Sequence, residues 1–293
     1  MAPTLKITFK NPEENRHAGD IQCLLCHNGK VYSGGEDGII KVWNGADLKY
    51  IAEFQAHPAG VYALAAIGND LYSSGNDSKI KVWDINTNAL KSTMHSGEAD
   101  VISMYVDGNK LYAGDEKGFI GIYQNNQLIN HLNVVEEVKG LVATGNLVYS
   151  VRNLDVTATE LLASGDGKFT IKTSIEGRAP LALVGGRLCA CTRDGKNVTV
   201  HHIKEGGQLQ LFCTITGSDL ILTSLASIQL GGESILFSGG FDKIIKRWSV
   251  GGDKPLPGGC AIVPTAINAI CVGPQGQAYT GGASGLICRL DLV

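Results

Sequence analysis

The strongest constraint on this chain is a stretch that it writes more than once. Tyr32-Ser33-Gly34-Gly35-Glu36-Asp37-Gly38-Ile39-Ile40-Lys41-Val42-Trp43-Asn44 is answered about forty residues later by Tyr72-Ser73-Ser74-Gly75-Asn76-Asp77-Ser78-Lys79-Ile80-Lys81-Val82-Trp83-Asp84. A third copy, Phe237-Ser238-Gly239-Gly240-Phe241-Asp242-Lys243-Ile244-Ile245-Lys246-Arg247-Trp248-Ser249, stands near the C-terminus. Each copy opens on largely apolar residues, passes through Gly, Asn and Asp, and ends in β-formers, which reads as strand, tight turn, strand. A unit of this size buries its faces only against neighbours. A period near forty residues with four short strands per unit is the pattern of a propeller blade.

The other units keep the frame and change the residues. Ile21 to Ser33, Val61 to Ser73, Val101 to Ala113 and Val138 to Ser150 share one spacing. The third unit carries Ala113, Lys117 and Tyr123 where the second carries Ser73, Asp77 and Trp83. Strands are expected in the fifth unit near 181–184, 188–191 and 197–201, in the sixth near 222–228, 235–238 and 244–248, and in the seventh near 267–272, 278–281 and 286–291. Blade-ending positions fall near Trp43, Trp83, Tyr123, Glu160, His201, Trp248 and Leu290, so there are seven units. The seventh has only three strands before Val293. The alternating stretch 4–9, which has no partner nearby, is expected to pair with it, forming the outermost strand over 5–9 and closing the ring with 266–293. The expected fold is all-β, a single seven-bladed domain over 1–293, each blade a four-stranded antiparallel sheet.

The repeat resembles the WD-repeat β-propeller family over essentially the whole chain. The resemblance implies a buried hydrogen-bonded tetrad in each well-kept blade: a His before the innermost strand, a Ser on the next, the turn Asp, and the Trp of the third. By position these are His17, Ser33, Asp37 and Trp43 in the first unit, and His57, Ser73, Asp77 and Trp83 in the second. The sixth keeps Ser238, Asp242 and Trp248 without a His in its lead-in; units three, four, five and seven lack the set. A buried Asp is costly without donors, and His and Ser supply them. Recurrence around a ring marks these residues as structural, although His, Ser and Asp together resemble a catalytic triad.

Bulk properties narrow the function classes. The formal net charge of −3 offers no concentrated basic face for nucleic acid. The start lacks the apolar core of a signal peptide, and no apolar run reaches the length of a membrane span. The eight cysteines are read as free thiols serving as small core residues in a reducing compartment, which gives a cytoplasmic setting with the nucleus still open. Cys23 and Cys26 point to opposite faces of an extended strand, and His201 and His202 do the same, so neither pair is a metal site. No phosphate-binding loop precedes a helix, no cofactor is implied, and nothing demands an enzyme.

Binding is the positive expectation. In WD-repeat proteins partners commonly dock on the narrower top face, at residues flanking the start of the innermost strand and before the turn Asp. Carried over, these are Asp20, Gln22 and Glu36; Tyr62 and Asn76; Asp100, Ile102 and Glu116; Glu137 and Lys139; Arg178 and Arg193; Thr223 and Phe241; and Asn268 and Ala283. Carboxylates on blades one, three and four face arginines on blade five. The expected partner is a protein or peptide, possibly basic, held by an acidic crescent with Tyr62 and Phe241 as apolar anchors, and the ring is a monomer within a complex. The alternatives are a substrate-recognition module of a larger enzyme assembly, such as a ubiquitin ligase or kinase complex, and a small-ligand site in the channel.

Overall fold

The computed structural model describes residues 4–95, 98–162 and 167–293. Seven four-stranded antiparallel sheets follow one another along the chain. Blade one is Ile21–His27, Lys30–Gly35, Ile39–Asn44 and Tyr50–Gln55; blade two is Val61–Ile67, Asp70–Gly75, Lys79–Asp84 and Leu90–His95. Blades three to six begin at Val101–Asp107, Gly140–Thr144, Arg178–Val184 and Leu222–Leu230. Each innermost strand packs on those of its two neighbours, blade seven on blade one included, so the sheets form a closed ring.

Blade seven consists of Ile267–Val272, Ala278–Gly282 and Ile287–Leu292, with Leu5–Lys10 as its outer strand. Leu5 faces Leu292 and Ile7 faces Leu290, as the alternating pattern requires. Reciprocal bonds between Thr4 and Val293, at 3.1 and 2.9 Å, extend the ladder to the chain ends. Arg289 reinforces this seam: it pairs with Asp291 at 2.8 Å and donates to the carbonyls of Gly45 and Ala46 in blade one.

The hub is built on one repeated contact. The first apolar residue of an innermost strand enters the space left by a glycine on the second strand of the preceding blade. Val61 meets Gly34, Val138 meets Gly114, Ile267 meets Gly239, and Ile21 meets Gly281. A Cβ on Gly34 would lie 2.6 Å from Cys23 Sγ and 2.7 Å from Val61 Cγ1, closer than side chains tolerate. This explains one glycine of the repeated Ser-Gly-Gly text: it receives the next blade.

A β-bulge follows at the same place. The ladder between first and second strands slips just after Ile21, Val61, Val101, Leu222 and Ile267. At four interfaces the preceding blade bonds the carbonyl at or beside this point. Asn268 Nδ2 donates to Ile21 O at 3.2 Å, Cys23 Sγ to Val61 O at 3.4 Å, Ser103 Oγ to Val138 O at 2.9 Å, and Thr223 Oγ1 to Ile267 O. In blade four the residue at the Trp43 position is Thr159, which faces Val148 as Trp43 faces Val31; Glu160 lies one place on. The turn at Asn153 is tighter than its counterparts, and the count shifts by one.

Gly34→Ala is expected to cost about 1–3 kcal/mol, read as a lowered urea midpoint, because the hub has no room to give. Val61→Ala should suppress part of that cost in the double variant, since it removes Val61 Cγ1 while Cys23 Sγ and Val61 Cβ remain in the way. Simple additivity of the two effects would refute the contact as the cause.

Candidate functional site

Two tetrads close as hydrogen-bond chains. His17 Nε2 lies 2.8 Å from Ser33 Oγ and Nδ1 lies 3.0 Å from Asp37, while Trp43 Nε1 donates to Ser33 Oγ at 2.9 Å. In blade two, His57 is 2.8 Å from Ser73 Oγ and 2.7 Å from Asp77, and Trp83 donates to Ser73 at 2.9 Å. Burial holds His57 below its ordinary value of 6.5, which keeps the ring neutral at pH 7. Proton positions then follow. An indole N–H only donates and a carboxylate only accepts, so Ser73 donates to Nε2 and Nδ1–H donates to Asp77. Burial alone would raise Asp77, but Lys81 and His57 overcome it and the carboxyl sits below its usual range. Ser33 and Ser73 are wholly buried and already engaged at both oxygen and proton, so these sets reach no substrate.

The sixth blade departs from the expected set. Ser218 stands in for the missing His and donates to Asp242 at 2.6 Å. A hydroxyl does not span the distance that an imidazole bridges, so Ser238 Oγ and Trp248 Nε1 are left buried without a partner; the three residues do not form one network. Blade three solves its turn with Asp115, two places before Lys117, whose carboxylate accepts the amides of Lys117 and Phe119 at 2.9 Å each. Blade four has no substitute: Ser150, Thr157 and Thr159 are buried with unpartnered hydroxyls.

The top face bears the starts of the innermost strands and the turns between second and third strands. At five blades the bulge falls on Gln22, Tyr62, Ile102, Thr223 and Asn268, which turns these side chains away from the regular alternation. The structure separates the expected contact residues into two groups. Several hold the ring itself. Asp20 accepts the Ser284 amide at 3.0 Å, Asp100 accepts both the amide and hydroxyl of Ser78, and Glu36 accepts the Asp20 amide and the Gln22 side chain. Asn76 accepts the Ala59 amide, Thr223 and Asn268 make the interblade bonds given above, and Glu137 pairs with Lys139 at 3.1 Å.

The second group is uncommitted. Among the described residues, the side chains of Tyr62, Ile102, Glu116, Arg178 and Phe241 make no hydrogen bond or ion pair. Tyr62 is half-buried, and its hydroxyl is raised above its ordinary value by burial and then by the charges of Asp100 and Glu116, which places the three close together. Arg193 reaches Asp155 at 3.6 Å and Glu176 at 3.5 Å, both loose surface pairs. Ala283 is half-buried in the last blade's turn. Two exposed residues escaped the sequence reading, Leu220 and Ile221, because Leu220-Ile221-Leu222 reads as the apolar opening of a strand. No group of three or more His, Cys, Asp or Glu among the described residues is arranged to hold a metal, and no helix is long and apolar enough to cross a membrane.

The closed ring of seven four-stranded sheets defines a β-propeller. A family profile described as the IP5P C-F beta-propeller matches residues 7–123, from the closing strand into blade three. The comparison with curated proteins gives no match. Among solved structures, the crystal structure of the computationally designed Ika8 protein, crystal packing No.1 in P63, is similar with a TM-score of 0.67. It is 20% identical, and the alignment covers 94% of this chain and 97% of that one. At that identity the likeness is one of fold alone.

Stability should decline as pH falls below about 6.5. A histidine depressed in the folded state contributes stability above its unfolded value and loses it on acidification, and His57 is depressed. His201, pushed down by burial, has the same sign. The lowered Asp77 adds a second decline below its ordinary 3.8. His57→Gln should lower the urea midpoint near neutral pH yet shrink its slope in the first window. An unchanged slope would show that the tetrad does not titrate as described.

Proposed function

We propose that this chain is a non-catalytic interaction ring of the WD-repeat type that docks partner proteins or peptides on its top face. The single observation that carries the reading is the division of top-face side chains just described. Asp20, Glu36, Asn76, Asp100, Thr223 and Asn268 are engaged in ring bonds, while Tyr62, Ile102, Glu116 and Phe241 stand on the same face and make no side-chain hydrogen bond or ion pair among the described residues. Rigid aromatic and apolar groups beside unpaired charge are the composition of binding hot spots, and their preset geometry lowers the cost of ordering on association. The carboxylates around Tyr62 favour a partner with a Lys or Arg at that point. Eight free thiols, most of them packed in the core, support a reducing compartment, and we place the ring in the cytoplasm.

Capture from a cell lysate with the intact ring and with the Tyr62→Ala, Glu116→Lys variant tests this. Glu36 is left alone because its carboxylate holds Asp20 and Gln22. The variant should keep its melting temperature and lose a defined set of retained proteins. Retention of the same set by both rings would overturn the docking role of this arc.

A further inference from the structure

One part of the top face presents apolar surface on a backbone held by several hydrogen bonds. The lead-in to blade six is fixed at four points: Ser218 N–H to Lys196 O at 2.8 Å, Leu220 N–H to Ser218 Oγ at 3.0 Å, Leu222 N–H to Gly195 O at 2.8 Å, and Phe241 N–H to Ile221 O at 3.1 Å. Ser218 is itself buried and tied to Asp242. The segment is thus held from within and from the turns of blades five and six. Leu220 nonetheless remains 50% exposed, Ile221 36% and Phe241 49%. Ile262, 75% exposed, ends the outer strand of the same blade, where Val263 bonds to Lys243. Isolated exposed apolar residues are ordinary; three on one rigid turn cluster are not.

The charges beside the cluster have a direction. A Cβ on Gly195 would lie 3.3 Å from both Ile221 Cγ2 and Arg178 Nη1, so guanidinium and apolar side chain border the same turn. Arg178 has no hydrogen-bonding partner among the described residues, and Arg193 is held only by the two loose pairs. The local carboxylates of Asp194 and Asp242 are drawn into their own turns by Thr192 and Lys196, and by Ser218 and Ile244. Asp219 has no such partner among the described residues, and both it and Asp194 are exposed. The unsatisfied groups are therefore apolar side chains rimmed by guanidinium, whose planar donors match a carboxylate.

We propose that this blade five and six patch binds a partner segment presenting bulky apolar side chains flanked by carboxylates. The proposal rests on the top face being a docking surface and assigns a second, oppositely charged subsite to it. Leu220, Ile221 and Phe241 take the apolar anchor; Arg178 and Arg193 take the acid.

Fluorescence anisotropy with three labelled synthetic peptides tests it: a Leu-Phe core flanked by glutamates, the same core flanked by lysines, and an alanine core flanked by glutamates. The first should bind the intact ring at least about tenfold more tightly than the others. Its affinity should fall with salt, fall about tenfold or more in Phe241→Ser and in Arg178→Glu, and rise in Asp219→Asn. Glu116→Lys, at the other arc, should leave it unchanged. Equal binding of the lysine-flanked peptide, indifference to Phe241→Ser, or concentration-dependent pairing of rings abolished by Phe241→Ser in place of peptide binding would each overturn the proposal. Lysate capture separates the two readings. Loss of partners in the Tyr62→Ala, Glu116→Lys ring alongside a negative peptide result leaves docking standing and removes only this subsite.

Discussion

The structure depends on the close approach of neighbouring blades at the hub. Sheets that fan around an axis are nearest at their innermost strands, and at four interfaces there is no room for two side chains in register. The chain resolves this by giving one blade a glycine and the next a branched apolar residue, as at Gly34 and Val61 or Gly239 and Ile267. A bulge stands beside this contact in blades one, two and seven, where the ladder slips by one after Ile21, Val61 and Ile267. Cys23, Ser103, Thr223 and Asn268 then bond across the interface. Packing, slippage and capping coincide at three interfaces of the ring.

That condition also organises the top face. The residue displaced by the slip is no longer bound to the alternation of its strand, so the geometry that closes the hub offers variable side chains to the surface. Whether each turns to the ring or to solvent depends on its own chemistry. Asn268 and Thr223 carry donors and reach the neighbouring carbonyl; Ile102 carries none, and Tyr62 places its hydroxyl near two carboxylates instead. Asp20 and Asp100 tie the lead-ins of blades one and three to the preceding blades' turns at Ser284 and Ser78.

The blades were legible in the sequence because turn residues and the tetrad recur at fixed spacing, and because period-two alternation at 5–9 could only complete a sheet short of one strand. What stayed hidden was whatever depends on two separate segments meeting. Ser218 bonding Asp242, Asp115 doing the work of a turn Asp from a different position, and Thr159 standing where Trp43 stands all preserve geometry without preserving text. Glu36 reads as a free surface carboxylate until the Asp20 amide and the Gln22 side chain that donate to it are seen, and Leu220 and Ile221 read as core until the backbone bonds around them are seen. Sequence pattern reports the commonest environment of a residue type, and sites are where that environment is not kept.

The seam between first and last blades has a consequence for motion. An open array of sheets frays from its ends, but here the chain ends are paired with each other and clamped by Arg289 to the carbonyls of blade one, beside the two intact tetrads. On the far side of the ring, blade four holds four buried hydroxyls without partners among the described residues, those of Tyr149, Ser150, Thr157 and Thr159, and a two-residue turn. Slow amide exchange in blades one, two and seven beside faster exchange in blade four is the gradient this arrangement sets up. The covalent break in the circle is spanned by a backbone ladder and a guanidinium clamp.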